Sequence, residues 1–560
     1  MKTNILGSII ITAVASLSLA SCSDFLDTTP TDSASDKLIW SKYEYAQLQA
    51  NYMYEDLNLT NGYGDVPGNG CTHDCFIGLS ESLTELFKYG GYNYTALNRI
   101  PSEFAYGTSS TLTNSYVDSY LGCWGKMYEY ISTANQSISN LRKYGTFDEA
   151  KKNEIEAEFR FFRAFYYFTL AKRYSKMILY TENMDEYTKD KEPVDRATIY
   201  QQIYDDLKFA GENLPESTVP NGRLTSGVAY ALMSRAMLYA ERWQDARDAA
   251  LKVKAQGYDF ADDLETPFTP GGKGAIFQFC FDLTAQTHNF DCYYSPGGDK
   301  LAYSNPVSGG YGCPTQEMVE SFEYVTGGLP DWSEWHTSQG TQQTPPYEIL
   351  EPRFAHTILY NGAAWKTREI ESFDGGADGW LQWMKGDMCE GKSTTSYYLR
   401  KLVDENNYFA NGSRCTKPFT FIRYAEVMLN LAEACYRLND PTGALDALNA
   451  VRTRTAVGLP QVNASGENLF AAIRQERKVE LAYEGHYYWD MRRWHLAHEA
   501  FTGNRAHGFK IVKEPNGALT YYYIEVDDQN RNFPEKMYTN PIPQSELENN
   551  KLITQDPAWN

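Results

Sequence analysis

The stretch 468–494 reads NLFAAIRQERKVELAYEGHYYWDMRRW, and it determines how the rest of the chain is interpreted. Apolar and charged residues recur in it at helical spacing, so we predict one helix that ends near Gly485. The residues at that spacing are Phe470, Ile473, Arg477, Leu481 and Glu484.

Charged side chains occupy positions in this stretch where a packing face would carry aliphatic residues. Aromatic residues, Tyr483 and Trp489 among them, interleave with these charges, which argues against a fully solvated charged face. We therefore predict a partly buried network of ion pairs, which fixes one geometry more than it adds stability. The predicted members are Glu476, Arg477, Glu480, Glu484, Asp490 and Arg493.

The motif E-R-x-x-E-L-A-x-E-G-H at 476–486, followed by D-M-R-R-W at 490–494, resembles a C-terminal signature of the SusD/RagB family. These are surface nutrient-binding lipoproteins of Bacteroidetes. This chain has Tyr487 where members commonly have Arg after Gly-His, a difference that affects one expected salt bridge and not the fold. The segment 538–559 also resembles the ending of the family.

Composition limits the function classes. The chain has 560 residues, 72 of them acidic and 51 basic, and its formal charge of -21 argues against nucleic acid or an anionic membrane surface as the ligand. Aromatic residues make up 14% of the chain, and 43 residues are Tyr. Helix packing accounts for most of these rings, and stacking on sugars would account for others.

The amino terminus predicts a lipoprotein. Lys2 precedes an apolar run at 5–20 that is too short to span a bilayer, so we predict a signal peptide at 1–21. Small residues precede Cys22, which predicts lipid attachment there; a simple secretory peptide is the alternative. The polar segment 22–39 is predicted to be a flexible tether, and its Asp-Phe-Leu-Asp run resembles the start of mature family members.

Cysteine and histidine residues give no firm metal motif. Cys71 and Cys75 enclose His73 and Asp74, and we interpret them as a thiol pair or a local disulfide in preference to a metal site, because no second pair has matching spacing. The eight His show no ligand spacing, and three near the signature are interpreted as packing or surface residues. These are His486, His495 and His498.

Helical periodicity recurs on both sides of an irregular middle region. Helix pairs are predicted within 124–170, 199–253 and 423–455, and Glu426 and Glu433 lie toward one side of the last pair. The pairs resemble tetratricopeptide units, in which stacked helices bury what one pair cannot. We predict a mainly α fold, a tetratricopeptide-like scaffold of helical hairpins with a large, loop-rich inserted lobe that contains short strands. The predicted divisions are 40–257 (N-terminal helical part with ligand-site loops), 258–418 (inserted lobe), 419–500 (C-terminal helical part) and 501–560 (closing extended segment).

Within the lobe, a strand is predicted at 275–281 and a helix at 314–324. The lobe carries many rings in loop context, as does the early segment 58–120, and rings on loops can stack on sugars. The resemblance implies that early loops meet the lobe at the ligand site. The residues predicted by that analogy are Tyr92, Asn93, Tyr94, Asn98, Arg99, Tyr106, Tyr293, Tyr294, Trp332 and Trp335.

The function implied by the resemblance is capture of an oligosaccharide or polysaccharide at the cell surface. The lipoprotein would be held in the outer membrane through Cys22 and would deliver its ligand to a SusC-like TonB-dependent barrel transporter. We predict no catalysis, cofactor, metal or nucleic-acid partner. Two alternatives remain open: a RagB-like peptide-binding lipoprotein, and a secreted glycoside hydrolase, which needs two carboxylates about 5 to 10 Å apart.

Overall fold

The computed structural model describes residues 31–55, 57, 79–89, 121–184, 187–382, 391–527 and 530–560. Several predicted positions lie outside these residues. They are Cys22, Cys71, Cys75, Tyr92, Asn93, Tyr94, Asn98, Arg99 and Tyr106.

Helices dominate the described residues. In chain order they are α1 (Thr31–Trp40), α2 (Tyr43–Glu55), α3 (Leu79–Ser82), α4 (Trp124–Tyr144), α5 (Glu149–Ala171), α6 (Arg196–Asn213), α7 (Ser226–Tyr239), α8 (Trp243–Ala255), α9 (Phe290–Tyr294), α10 (Asp299–Ala302), α11 (Gln316–Val319), α12 (Pro352–Thr357), α13 (Tyr424–Arg437), α14 (Pro441–Arg452), α15 (Gly466–Glu480), α16 (Tyr487–Arg493), α17 (Ala497–Ala500) and α18 (Gln544–Asn549). None of them is both long and apolar enough to cross a bilayer.

Short strands form two-stranded antiparallel ladders. The strands are β1 (Phe87–Tyr89), β2 (Lys176–Met177), β3 (Val194–Asp195), β4 (Ala275–Phe279), β5 (Gly312–Pro314), β6 (Ile358–Leu359), β7 (Ala364–Trp365), β8 (Arg368–Glu369), β9 (Tyr398–Leu399), β10 (Phe419–Arg423), β11 (His507–Lys513) and β12 (Leu519–Glu525). The pairs are β1 with β5, β2 with β3, β4 with β10, β6 with β9, β7 with β8, and β11 with β12.

The scaffold is a stack of helical hairpins. Helix α5 packs between α4 and α6, and its inward rings, such as Phe159 and Phe162, are fully buried. Close crossings need small residues: a Cβ on Gly211 of α6 would meet the Tyr230 ring of α7 at 2.5 Å. Helix α8 packs on α13, which joins the N-terminal hairpins to the C-terminal ones. The prediction of a mainly helical, tetratricopeptide-like scaffold is confirmed.

The inserted lobe leaves and re-enters the scaffold through one ladder. Strand β4 lies at its start and β10 at its end, with Phe419 opposite Phe279. Strand β4 ends two residues earlier than predicted. The helix predicted at 314–324 is shortened to α11, because Pro314 belongs to β5 and Tyr324 forms a bridge with Leu350.

The signature helix is shorter than predicted. Helix α15 ends at Glu480, five residues before Gly485, and the chain then turns. Tyr483 has a φ of 62°, which a continuing helix does not allow. The turn directs the Tyr483 ring onto Phe87, 5.0 Å between centroids, and its hydroxyl donates to the Leu86 carbonyl at 2.9 Å. The turn therefore connects the signature to β1.

Candidate functional site

The signature charges form a buried network whose centre is Glu480. Its carboxylate accepts hydrogen bonds from Arg353 at 2.9 Å, Arg423 at 2.6 Å and Arg454 at 2.7 Å, and its side chain is 1% exposed. Burial alone would raise the pKa of Glu480, but the guanidinium groups of Arg454, Arg423 and Arg353 outweigh burial and hold that pKa well below its usual value. Glu480 is therefore a charged carboxylate at neutral pH.

The other predicted members lie in this network or in a second cluster that begins on the same helix. Glu476 pairs with Arg353 at 2.5 Å, and Glu484 pairs with Lys401 at 2.5 Å. In the second cluster, the contacts are Arg477 to Asp490 at 2.8 Å, Arg493 to Asp490 at 2.8 Å and Arg493 to Glu433 at 2.6 Å. All six predicted charges thus have oppositely charged partners.

Sequence reasoning missed the partners that come from elsewhere in the chain. Arg353 and Lys401 belong to the inserted lobe, Arg423 precedes α13, and Arg452 and Arg454 lie at the end of α14. No local spacing marks them, because each is more than 20 residues from the signature acid with which it pairs. Their contacts show that the network fastens the lobe to the scaffold.

Tyr487, the departure from the family motif, has a partner of its own. Its hydroxyl donates to the Glu85 carboxylate at 2.6 Å. Burial raises the pKa of Glu85, although Lys478 and Tyr487 act against this. The side-chain hydrogen bond that Tyr487 donates to this buried carboxyl therefore comes from a neutral phenol and not from a cation.

The ladder of β1 and β5 brings the early part of the chain to the inserted lobe. Tyr89 lies opposite Gly312, and Lys88 opposite Cys313. The closing segment secures this ladder, since the buried Asp527 pairs with Lys88 at 2.8 Å. The ladder ends at Tyr89 and Gly312, and Tyr311 directly precedes Gly312. The early predicted ligand residues follow Tyr89 in the sequence.

The rings predicted in the lobe differ in exposure. Tyr294, predicted to contact the ligand, is 1% exposed and stacks on Phe290, 4.3 Å between centroids, so it is a core residue without a free ring face. Tyr293 is also buried and contacts the half-buried Tyr311 edge to face at 4.8 Å. Of this group, Tyr311 has the most accessible ring.

The tryptophan pair lies beside the closing hairpin of β11 and β12. Trp332, predicted to contact the ligand, is only 4% exposed, and its ring meets that of Trp335 at 5.6 Å. Trp335 is half-buried, and its indole nitrogen donates to the Gln343 carbonyl at 2.9 Å. The chain that follows pairs with β12 through Thr341 and Tyr521, so this pair is fixed to the closing segment.

A further aromatic pair in the lobe includes an exposed ring. Tyr408 is 43% exposed, and its ring meets the half-buried Tyr303 at 5.3 Å in an edge-to-face contact. Both rings lie around the ammonium group of Lys366, which is fixed by the Asp299 carboxylate at 2.9 Å. Tyr303 stands among the loop aromatics of the sequence, but only the tertiary structure pairs it with Tyr408.

The lobe also contains an acidic cavity of about 370 Å³. Burial alone would raise the pKa of its Glu265, but hydrogen bonding to His356 and the charge of Lys417 lower it to about 2. Burial raises the pKa of Asp404 in the same cavity. Two carboxyl groups with opposite shifts can serve acid–base chemistry, but Glu265 is bound to Lys417 at 2.6 Å, which also contacts the Val403 carbonyl. Lys417 therefore ties the Glu265 carboxylate to the backbone at Val403.

Two family models match the chain. The model described as "SusD family" matches residues 273–559, more than half of the chain. The model described as "Starch-binding associating with outer membrane" matches residues 88–238.

Curated relatives are similar over most of the chain. A SusD-like protein of Bacteroides ovatus is 24% identical over 601 residues, covering 100% of this chain and 99% of the relative. SusD-like protein P2 of Formosa agariphila is 24% identical over 459 residues, 78% of this chain and 80% of the relative.

Solved structures share the fold. A SusD-like protein from Bacteroides fragilis is 26% identical with a TM-score of 0.75, covering 95% of this chain and 100% of that chain. A SusD-like carbohydrate binding protein from the same species is 24% identical with a TM-score of 0.74, covering 92% and 100%. The signature, the helical scaffold and the match over 273–559 agree, and the chain belongs to the SusD family.

Proposed function

We propose that this protein is a cell-surface, lipid-anchored glycan-binding protein. It captures an oligosaccharide or polysaccharide without cutting it and delivers it to a SusC-like TonB-dependent transporter in the outer membrane. Membership of the SusD family carries this proposal, together with the starch-binding, outer-membrane description of the model that matches residues 88–238. That segment includes the early residues proposed to contact the ligand, 92–106.

The proposed glycan surface combines early residues with rings of the lobe. The ladder of β1 and β5 supports this, because it ends beside Tyr311, directly before the segment that carries Tyr92 and Tyr94. Tyr303 and Tyr408 offer a second platform. Each stacked ring contributes about 1 kcal/mol to binding. Together with polar contacts, the binding free energy reaches about -8 kcal/mol, which corresponds to a micromolar Kd. Such affinity allows both capture and release.

The proposed transporter contact lies on the first two helices. Their exposed apolar side chains form a face on the scaffold, namely Leu38, Tyr45, Leu48 and Tyr52. Residues 23–30 separate Cys22 from α1, and a chain of that length spans at most about 30 Å. A lipid on Cys22 therefore keeps this face near the membrane, where a barrel transporter is available to cover it.

Titration calorimetry of the mature protein against plant, host and microbial polysaccharides tests the proposal. We expect micromolar binding of a glycan with no release of reducing sugar. Replacing Tyr311 or Tyr408 with Ala should weaken binding about five- to tenfold, because one stacking contact is lost. Tyr45→Ala is the matched control, since this exposed ring lies on the helical face.

Three results would count against the proposal. Release of reducing sugar that Asp404→Asn abolishes would support the hydrolase alternative, and affinity for peptides alone would support a RagB-like binder. If Cys22→Ala still incorporated radiolabelled palmitate, or the wild type did not, the lipid anchor would be wrong.

A further inference from the structure

Three metal-ligating side chains converge where α16 meets the closing segment. The Nε2 atom of His498 lies 3.7 Å from one carboxylate oxygen of Glu535, and the Nε2 atom of His495 lies 3.9 Å from the other. All three ligand atoms lie within 4.8 Å of one another. The two nitrogen–oxygen distances are too long for hydrogen bonds. The group belongs neither to the buried network nor to the proposed glycan surface.

The backbone holds His495 in an unusual conformation. Its φ is 59°, and two hydrogen bonds enclose it: His495 N–H donates to the Arg492 carbonyl at 3.0 Å, and Leu496 N–H to the Met491 carbonyl at 2.9 Å. This is the Schellman ending of a helix, whose left-handed position usually belongs to glycine. A residue with a side chain is strained in that conformation. The position nevertheless carries an imidazole, and that imidazole faces Glu535.

Tyr538 supports both histidines. Its ring stacks on His495, with centroids 4.1 Å apart. Its hydroxyl oxygen lies 2.7 Å from Nδ1 of His498 and also accepts the His498 N–H at 3.1 Å. With the ring proton on Nδ1, Nδ1 donates to the phenol oxygen and Nε2 presents its lone pair toward Glu535. Metal-bound histidines are held by hydrogen bonds of this kind.

The donor set selects among metals. Two imidazoles and one carboxylate suit zinc and other first-row transition metals, whereas calcium and magnesium prefer oxygen ligands alone. Tetrahedral bonds of about 2.0–2.1 Å place neighbouring ligand atoms about 3.3 Å apart. The present distances of 3.7 and 3.9 Å need only small side-chain movements to reach that value. Glu499, 3.9 Å from Nε2 of His498, or a water molecule can supply the fourth ligand.

We propose that His495, His498 and Glu535 form a zinc-binding site that joins the end of α16 to the closing segment. Sequence reasoning interpreted His495 and His498 as packing or surface residues, because the third ligand lies 37 positions beyond the second. Only the fold brings Glu535 to the histidines. The net charge of -21 further favours cation binding.

The test titrates zinc chloride into the full-length chain, purified without a histidine tag and treated with chelator, while calorimetry and elemental analysis measure affinity and stoichiometry. We expect one zinc ion per chain. Glu535→Gln and His498→Ala should each weaken zinc binding at least tenfold, and so should Tyr538→Phe, which keeps the ring but loses the support of Nδ1. His336→Gln, at an exposed histidine paired with Glu320, should leave binding unchanged.

His495→Gly separates a ligand role from a structural one. Glycine suits the left-handed conformation, so this variant should fold at least as well as the wild type and still lose zinc affinity at least tenfold. Absence of zinc at one ion per chain, an affinity unchanged in His495→Gly, or a preference for calcium would each overturn the proposal. The proposed zinc site lies apart from the proposed glycan surface, so we expect chelator to leave the glycan titration unchanged. Failure of the zinc proposal is therefore distinguishable from failure of the proposed function.

Discussion

Replacing Glu480 with Gln tests the buried network at its centre. The substitution keeps the size and shape of the side chain but removes the negative charge that three guanidinium groups share. The new amide also directs an N–H donor toward groups that can only donate. Arg353, Arg423 and Arg454 would then stay buried with less compensating charge.

The expected loss of stability follows from that environment. Removing one partner of a buried ion pair costs about 3–5 kcal/mol, because an uncompensated charge remains. Three contacts of 2.6–2.9 Å converge on Glu480, which places the loss in the upper part of that range. A typical domain is stable by only about 5–15 kcal/mol, so the variant should unfold at a much lower urea concentration.

The same carboxyl also predicts the effect of pH. The pKa of Glu480 is well below its ordinary value of 4.5 in the folded chain, so the unfolded chain binds this proton more readily. Its contribution to stability is complete above that ordinary value and is lost as the pH falls through the folded pKa. The Glu480→Gln variant has no carboxyl at this position and therefore no such contribution to lose. The difference in the free energy of unfolding between wild type and variant should therefore narrow below about pH 4.5.

Urea unfolding at pH 7 and at pH 4 measures both effects. Glu129→Gln is the matched control, because Glu129 makes a 3.1 Å ion pair with Lys126 and the two side chains are 64% and 50% exposed. That change should alter the free energy of unfolding by less than about 1 kcal/mol. The reasoning about the network would be refuted if Glu480→Gln lowered the free energy of unfolding no more than the control does. It would also be refuted if the difference between wild type and Glu480→Gln were as large at pH 4 as at pH 7.

Two further substitutions test single positions by urea unfolding. Tyr487→Phe removes the donor to the buried Glu85 carboxyl and should destabilise the fold by about 1–3 kcal/mol; an unchanged midpoint would show that the phenol does not serve this group. Glu241 is exposed, has a φ of 56° and follows α7 in a Schellman ending. Glu241→Gly should therefore stabilise the fold by about 0.5–1 kcal/mol, because glycine adopts this conformation without strain. A loss of stability would contradict the assignment of strain to Glu241.

Sequence reasoning reached the scaffold because its signals are local. Helical spacing identified the hairpins, and charges among rings identified the members of the network within the signature. Long-range contacts leave no such pattern. Arg353 pairs with Glu480 across 127 positions, and nothing in the lobe distinguishes this arginine from a surface one.

The aromatic residues of the lobe show a different limit. Ring stacking on sugars and ring packing in a small core use the same residue types, so composition alone does not separate Tyr294 from Tyr408. The structure separates them by neighbours: Tyr294 stacks on Phe290 next to β5, whereas Tyr408 stands at an exposed edge beside Lys366. Loop context predicted which rings could contact a glycan, and their burial in the structure shows which of them have an accessible face.

The network explains how a loop-rich lobe keeps one orientation on a helical scaffold. The ladder of β4 and β10 packs apolar rings on the scaffold, where Phe277 meets Phe161 of α5 at 5.7 Å. Arg353 and Lys401 also reach from the lobe to Glu480 and Glu484, and hydrogen-bonded ion pairs fix direction as well as distance. Because the ligand surface is proposed to combine early residues with lobe residues, a fixed lobe orientation preserves the spacing between its rings.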